Sequence, residues 1–231
     1  LEHWLPYINY SVATNKARRQ PICCAFNIDQ NLKKSTERIG WSVEDRIDAQ
    51  LDNDYYRNND WDRGHMVMRS NASWGTTPEK AQEASDDTFF YTNACLQHAN
   101  LNQDEWLEAE LWVSNLQDDD NGKISSFTGP IYGYEGVAKQ YITPSGRDLA
   151  EIPTAFYKIV AFIDKETKAL STRAFIMVQD AKTLQDKMGK NTMDLWSYQV
   201  SVKTIEDMTG LKFPGVLEDA NTFPGVLEDE N

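Results

Sequence analysis

Cysteine is scarce in this chain: three in 231 residues, Cys23, Cys24 and Cys95. An odd count with two of them adjacent gives no disulfide framework, and no spacing suits a structural zinc site. On a strand, Cys23 and Cys24 face opposite ways, so at least one is plain core. This usage mildly favours a reducing compartment. Histidine is equally rare, at His3, His65 and His98. No apolar run approaches the ~20 residues that cross a bilayer, so no membrane association is expected. The first residues, LEHWLPYINYS, lack the charged start and long apolar centre of a signal peptide. The chain also starts without Met, as would a mature form or a domain cut from something longer.

Positive charge is in deficit as well. Lys plus Arg is 23 against 36 for Asp plus Glu, a net charge of −13. A passive nucleic-acid-binding module is normally basic, so that class is disfavoured. An enzyme tolerates the mismatch, because a bound cation and a few arginines reverse the sign locally. The acidic surface, including Asp118 to Asp120, is expected to slow encounter with a polyanion and to make salt dependence shallow. The one dense basic cluster, Lys16, Arg18 and Arg19, either tracks a nucleic-acid backbone or balances acidic surface.

What is present is a globular composition, 40% apolar and 11% aromatic, in a chain long enough for one large core. INYSV and PICCAFNI read as strands around the connection NKARRQ, and residues 29 to 62 are polar and loop-rich. Residues 78 to 86 read as a short helix with Pro78 in its first turn. TFFYTNAC reads as a strand, after which Asn102 opens a helix through Trp106, Leu107, Glu110 and Leu111. SSFTGPIYG, IPTAFYKIVAFID and STRAFIMVQD read as strands, the last two a hairpin. The pattern turns helical or mixed from Leu184, and VSVKTIEDMTGL reads as a strand and a short helix closed by Gly210. The segment FPGVLED occurs twice, from Phe213 to Asp219 and from Phe223 to Asp229. Two copies are too few for a solenoid. The expectation is a single α+β domain over 1–212 with a central antiparallel sheet, and an acidic tail over 213–231.

Two stretches carry chemistry: Asp62-Arg63-Gly64-His65, and the spaced run Asn93, Gln97, Asn102, Trp106 and Glu110. Breaking a phosphodiester needs an activated water, neutralised phosphate charge and help for the leaving oxygen. A neutral imidazole at His65 suits a general base. Arg63, two residues away, shares its face if the piece is extended. Mg²⁺ prefers oxygen ligands, keeps several waters and often takes one or two protein ligands. Asn102 offers a carbonyl oxygen. Glu110, eight residues on, shares roughly the same helix face and is placed to hold metal-bound waters.

With these residues in view, the sequence resembles the DNA/RNA non-specific endonuclease family, the ββα-metal (His-Me finger) nucleases. Their signature is an Asp-Arg-Gly-His box followed by Asn-x₃-Gln-x₄-Asn-x₃-Trp-x₃-Glu, and every spacing is kept here. The likeness extends to NYSVATNKARRQP, FTGPIYG, IPTAFYKIV and IEDMTGLKF. The resemblance implies a ββα-metal motif, His65 as general base, and Asn102 as the sole direct ligand of Mg²⁺ (Mn²⁺ substituting), with Glu110 acting through water. It implies Arg63 on the scissile phosphate, and Asn93 and Gln97 lining the site to orient phosphate, water or base. Arg57 and Arg38 are further candidates for phosphate contact. The implied activity is hydrolysis of DNA and/or RNA, with little sequence preference, to 5′-phosphate and 3′-hydroxyl ends. Asn58-Asn59-Asp60 departs from the Gly-Ser-Gly that many members carry before the box. The run HMVMRSNASWG resembles a branch of intracellular bacterial proteins, some joined to other domains. Location, intracellular or exported, and a fused or inhibitory protein partner stay open.

Alone, each residue has an ordinary reading. Arg-Gly-His would be a turn, Asn102 an N-cap, Glu110 a solvated helix residue and Trp106 core. His98 suits a surface or supporting role, and Lys158 a structural one. The competing class is a catalytically weak nuclease-fold module kept for binding nucleic acid or protein. It would be recognised by loss of the base or metal residue, and both are present.

Overall fold

The computed structural model describes residues 3–116, 122–179 and 195–221. In chain order the described strands are β1 (His3–Pro6), β2 (Tyr10–Asn15), β3 (Gln20–Asp29), β4 (Trp61–His65), β5 (Ala94–His98), β6 (Lys123–Ile131), β7 (Gln140–Ile142), β8 (Ala150–Ile152), β9 (Ala155–Ile163), β10 (Leu170–Val178) and β11 (Gln199–Val200). The described helices are α1 (Arg69–Ala72), α2 (Pro78–Asp87), α3 (Ala99–Gln103), α4 (Glu105–Asn115), α5 (Val202–Thr209) and α6 (Gly215–Asp219). Seven strands make one sheet in the order β1-β2-β3-β6-β9-β10-β11, antiparallel at every pairing. The expected mixed fold around a central antiparallel sheet is what forms.

Strand β9 explains the layering. Its nine residues AFYKIVAFI are buried but for the last, whereas an antiparallel strand commonly wets one face. The period of two sends Phe156 and Val160 to one face, with Trp106, Ala109 and Val113 of α4. Tyr157 and Ile159 go to the other, against Val202 and Ile205 of α5. Helix α5 starts at Ser201, whose hydroxyl accepts from Thr204 N–H, and ends at Gly210 with φ 70°. That left-handed cap is where glycine is favoured. Helix α2 begins as expected, with Thr77 as N-cap and Pro78 in the first turn.

Several local expectations change. Strand β1 was not anticipated. TFFYTNAC is no continuous strand: a tight turn at Tyr91–Asn93 precedes β5. Asn102 does not open the long helix. It lies in the last turn of the short α3, and the helix breaks at Asp104 (φ −124°, ψ −94°) before α4. The break lies beside Asp62, whose Oδ2 accepts from Asn102 Nδ2 and Gln103 Nε2, both at 2.8 Å. Packing does not stop at residue 212: Phe213 and Leu217 join the apolar cluster on the α5 face. The second FPGVLED copy, Asp118 to Asp120 and the stretch around Leu184 lie outside the described residues.

The piece that positions the site is the β4–β5 ladder followed by α3 and α4. Asp62 pairs with Gln97, and Gly64 with Cys95. A Cβ on Gly64 would lie 2.3 Å from Gln97 Oε1 and 2.6 Å from Gln97 Cβ, so the residue is glycine because Gln97 lies against its backbone. Gly64→Ala is expected to cost about 1–3 kcal/mol, the range for overpacking a filled interior. A urea melt measures it, and wild-type stability in this variant would show that the ladder yields freely.

Candidate active site

His65 ends β4 and is half-buried. Its ring lies 4.5 Å from Trp41 and 5.3 Å, edge-on, from Phe89. Its carbonyl accepts from Trp106 Nε1 at 3.3 Å, which ties the strand end to α4. The chain beyond is held by Asn93. Met66 N–H donates to the Asn93 carbonyl at 2.9 Å, and Val67 N–H to Asn93 Oδ1 at 2.9 Å. Burial, with the Arg38 and Arg69 guanidinium groups nearby, pushes the imidazole pKa from 6.5 down to about 3. The ring is therefore neutral near pH 7. The sign for stability follows: between about pH 6.5 and about 3 the unfolded chain takes up a proton that the folded chain does not. Stability falls as pH drops through that window.

His65 opens onto a cleft of about 490 Å³, whose walls include Arg38, Arg63, Arg69, Asp62, Asn102 and Glu110. Three cations from three separate segments thus converge on one concavity. Arg63 donates through Nη2 to Asn53 Oδ1, while its Nε is buried without a hydrogen-bond partner. Arg69 is anchored through Nη1 on Thr36, to the carbonyl at 2.9 Å and the hydroxyl at 2.7 Å. Asn102 Nδ2 donates a hydrogen bond to Asp62 Oδ2, leaving the Asn102 side-chain carbonyl oxygen as a hard donor. Glu110 is 5% exposed, and its Oε1 has no hydrogen-bond partner. Behind it stands Lys158, 1% exposed, with Nζ 3.9 Å from Glu110 Oε1 and 4.3 Å from the Trp106 ring. Burial drives the Glu110 carboxyl pKa up, against the pull of Lys158. It drives the Lys158 ammonium down. An amide oxygen and an under-satisfied carboxylate fit a hard divalent cation that keeps much of its water. Among the described residues no group of three or more His, Cys, Asp or Glu could cage a metal.

The profile of the DNA/RNA non-specific endonucleases matches residues 2–220. The chain belongs to the DNA/RNA non-specific endonuclease family. It is 31% identical over 229 residues to the uncharacterized protein y4fB of Sinorhizobium fredii, spanning 90% of this chain and 33% of that one. It is 26% identical over 172 residues to human mitochondrial endonuclease G, spanning 72% of this chain and 53% of that protein. The chain thus spans about a third to a half of these two relatives. A chain in the crystal structure of the EndoG/EndoGI complex shares the fold, with TM-score 0.71 at 19% identity, over 92% of this chain and 86% of that one.

Within this chain, the motif residues divide into two sets. His65, Arg63, Asn102, Glu110 and Arg38 line the cleft. Asn93 and Gln97 do not. Asn93 is wholly buried, and its Nδ2 donates to the Val67 and Thr88 carbonyls at 3.0 Å each. It fixes the loop after His65. Gln97 is also wholly buried, under Gly64. Arg57 stands outside the cleft, its Nη2 3.2 Å from Asp54 Oδ1. Sequence reasoning missed Arg69, whose signal was its place four residues past His65, and gave Asp62 no role. His98 has a supporting one, its Nδ1 accepting from Asn100 N–H at the start of α3.

Proposed function

We propose that this domain is a divalent-metal-dependent endonuclease that hydrolyses DNA and/or RNA with little sequence preference, leaving 5′-phosphate and 3′-hydroxyl ends. The observation that carries the proposal is the meeting, in one cleft, of a neutral imidazole, three guanidinium groups and two hard oxygen donors. Arg38, Arg63 and Arg69 would bind and orient the phosphate, which local cations can do within a chain of net charge −13. His65 would take the proton of the attacking water. Asn102 would hold Mg²⁺ directly and Glu110 through its waters, and Mn²⁺ should substitute. The ion, when bound, would offset charge on the phosphate and its leaving oxygen.

The test is digestion of supercoiled plasmid and of RNA in Mg²⁺, in Mn²⁺ and in EDTA, with the ends mapped by phosphatase-dependent labelling. Cleavage in either metal, none in chelator, and label entering only after phosphatase treatment are the expected results. Full cleavage in EDTA would overturn the metal. Tight binding without turnover in any divalent metal would favour the nuclease-fold binding module.

A further inference from the structure

The repeat is longer than its identical core. Aligned at a spacing of ten, FPGVLEDAN (213–221) and FPGVLEDEN (223–231) differ only at Ala220 and Glu230. The first copy is a docked unit. Phe213 lies edge-on to Phe127 and Tyr157, with centroids 5.4 and 6.0 Å away, and its N–H donates to Glu206 Oε1 at 2.9 Å. Leu217 is buried beside α5. Glu218 Oε2 accepts from Lys203 N–H at 3.0 Å. Thr172 N–H donates to the Ala220 carbonyl at 2.9 Å, Asn221 Nδ2 donates to the Val200 carbonyl at 3.3 Å, and Asn221 bridges Thr172. Every side chain making these contacts recurs in the second copy as Phe223, Leu227, Glu228 and Asn231. The contact at the one differing position is made by a main-chain carbonyl.

We propose that this surface is a peptide-docking site with two competing ligands on its own chain, and that Phe223–Asn231 occupies it when Phe213–Asn221 leaves. The exchange is a ten-residue slip. The connection from Gly210 lengthens from two residues, Leu211 and Lys212, to twelve. Loop-closure cost grows as (3/2)RT ln n, so closure probability falls as length to the three-halves power and the first copy is favoured roughly fifteenfold. The second is held nearby by the tether, at an effective concentration on the order of millimolar. Adjacency therefore favours exchange within one chain over capture by another molecule.

Thermal melts of Leu217→Asp, Leu227→Asp and the double variant test the exchange. Leu227→Asp should match wild type. Leu217→Asp should melt roughly 3–6 °C lower, the fifteenfold handicap expressed through the usual scaling for a chain of this size. The double variant should fall by at least as much again. Leu217→Asp truncated after Asn221 should melt with the double variant, which controls for the added charge at 227. Coincident melts of Leu217→Asp and the double variant would overturn the proposal. So would a rescue that rises with protein concentration and is accompanied by dimers, since that would place the second copy on another molecule.

Discussion

Replacing His65 with alanine is expected to lower kcat on plasmid DNA by about 10²–10⁴-fold, the usual worth of a general base, while the protein stays folded. The fold should survive because the bonds that hold this strand end are made by main-chain atoms. Trp106 binds the His65 carbonyl, and Asn93 binds the chain from Met66 onward. Depression of the ring to about 3 adds a pH signature. Arg38 and Arg69 repel a proton on the imidazole in the free protein, whereas a phosphate bound between them would offset their charge and make the ring a better base. The acid limb of kcat/KM, which reports the free enzyme, should therefore lie at lower pH than the acid limb of kcat, which reports the complex. A His65→Ala protein with native near-UV dichroism and wild-type cleavage would remove the assignment. Coincident limbs would remove the role given to the arginines.

Nearly as large is the effect expected at Asn102. Asn102→Ala deletes the carbonyl oxygen and should reduce kcat/KM by roughly 10²–10³-fold, the scale for losing one aimed electrostatic group. Asp62→Ala leaves that oxygen in place but frees the amide it orients. Loss of such outer support typically costs about 10–100-fold in metal affinity or activity. The order wild type, Asp62→Ala, Asn102→Ala should hold for Mn²⁺ affinity, read by electron paramagnetic resonance without substrate, as well as for turnover. Unchanged Mn²⁺ affinity in Asn102→Ala would move the metal elsewhere.

The large elements were legible because their signals are local. Thr77 with Pro78, Ser201 with Gly210, and the unbroken apolar run of β9 each mark their own structure. Motif spacing picked out the candidate residues by type, but it could not say which of them face solvent. Asn93 and Gln97 carry the right chemistry and lie wholly inside, one spent on main-chain groups of Val67 and Thr88 and the other packed under a glycine. Arg57 has a nearer anion in Asp54. At the break between α3 and α4, Asn102 and Gln103 bond Asp62, forty residues upstream of Asn102, and helical periodicity is blind to so distant a partner. Arg38 meets His65 only after the polar loop folds back, so no linear pattern joins it to the box.

With the proposed activity, Lys158 and Glu110 would set this domain's durability against its chemistry. Between β9 and α4, Lys158 and Glu110 place an amino group and a carboxyl group where two apolar side chains would pack. Replacing both members of such a pair with apolar groups of similar volume is often neutral or stabilising by about 1–4 kcal/mol, whereas removing one alone is strongly destabilising. Selection for heat tolerance alone would thus reward a double change at these two positions and discard a cleft carboxylate in the same step. A breeder of hardier variants must score cleavage in every round, because the sturdiest survivors would be the ones that no longer cut.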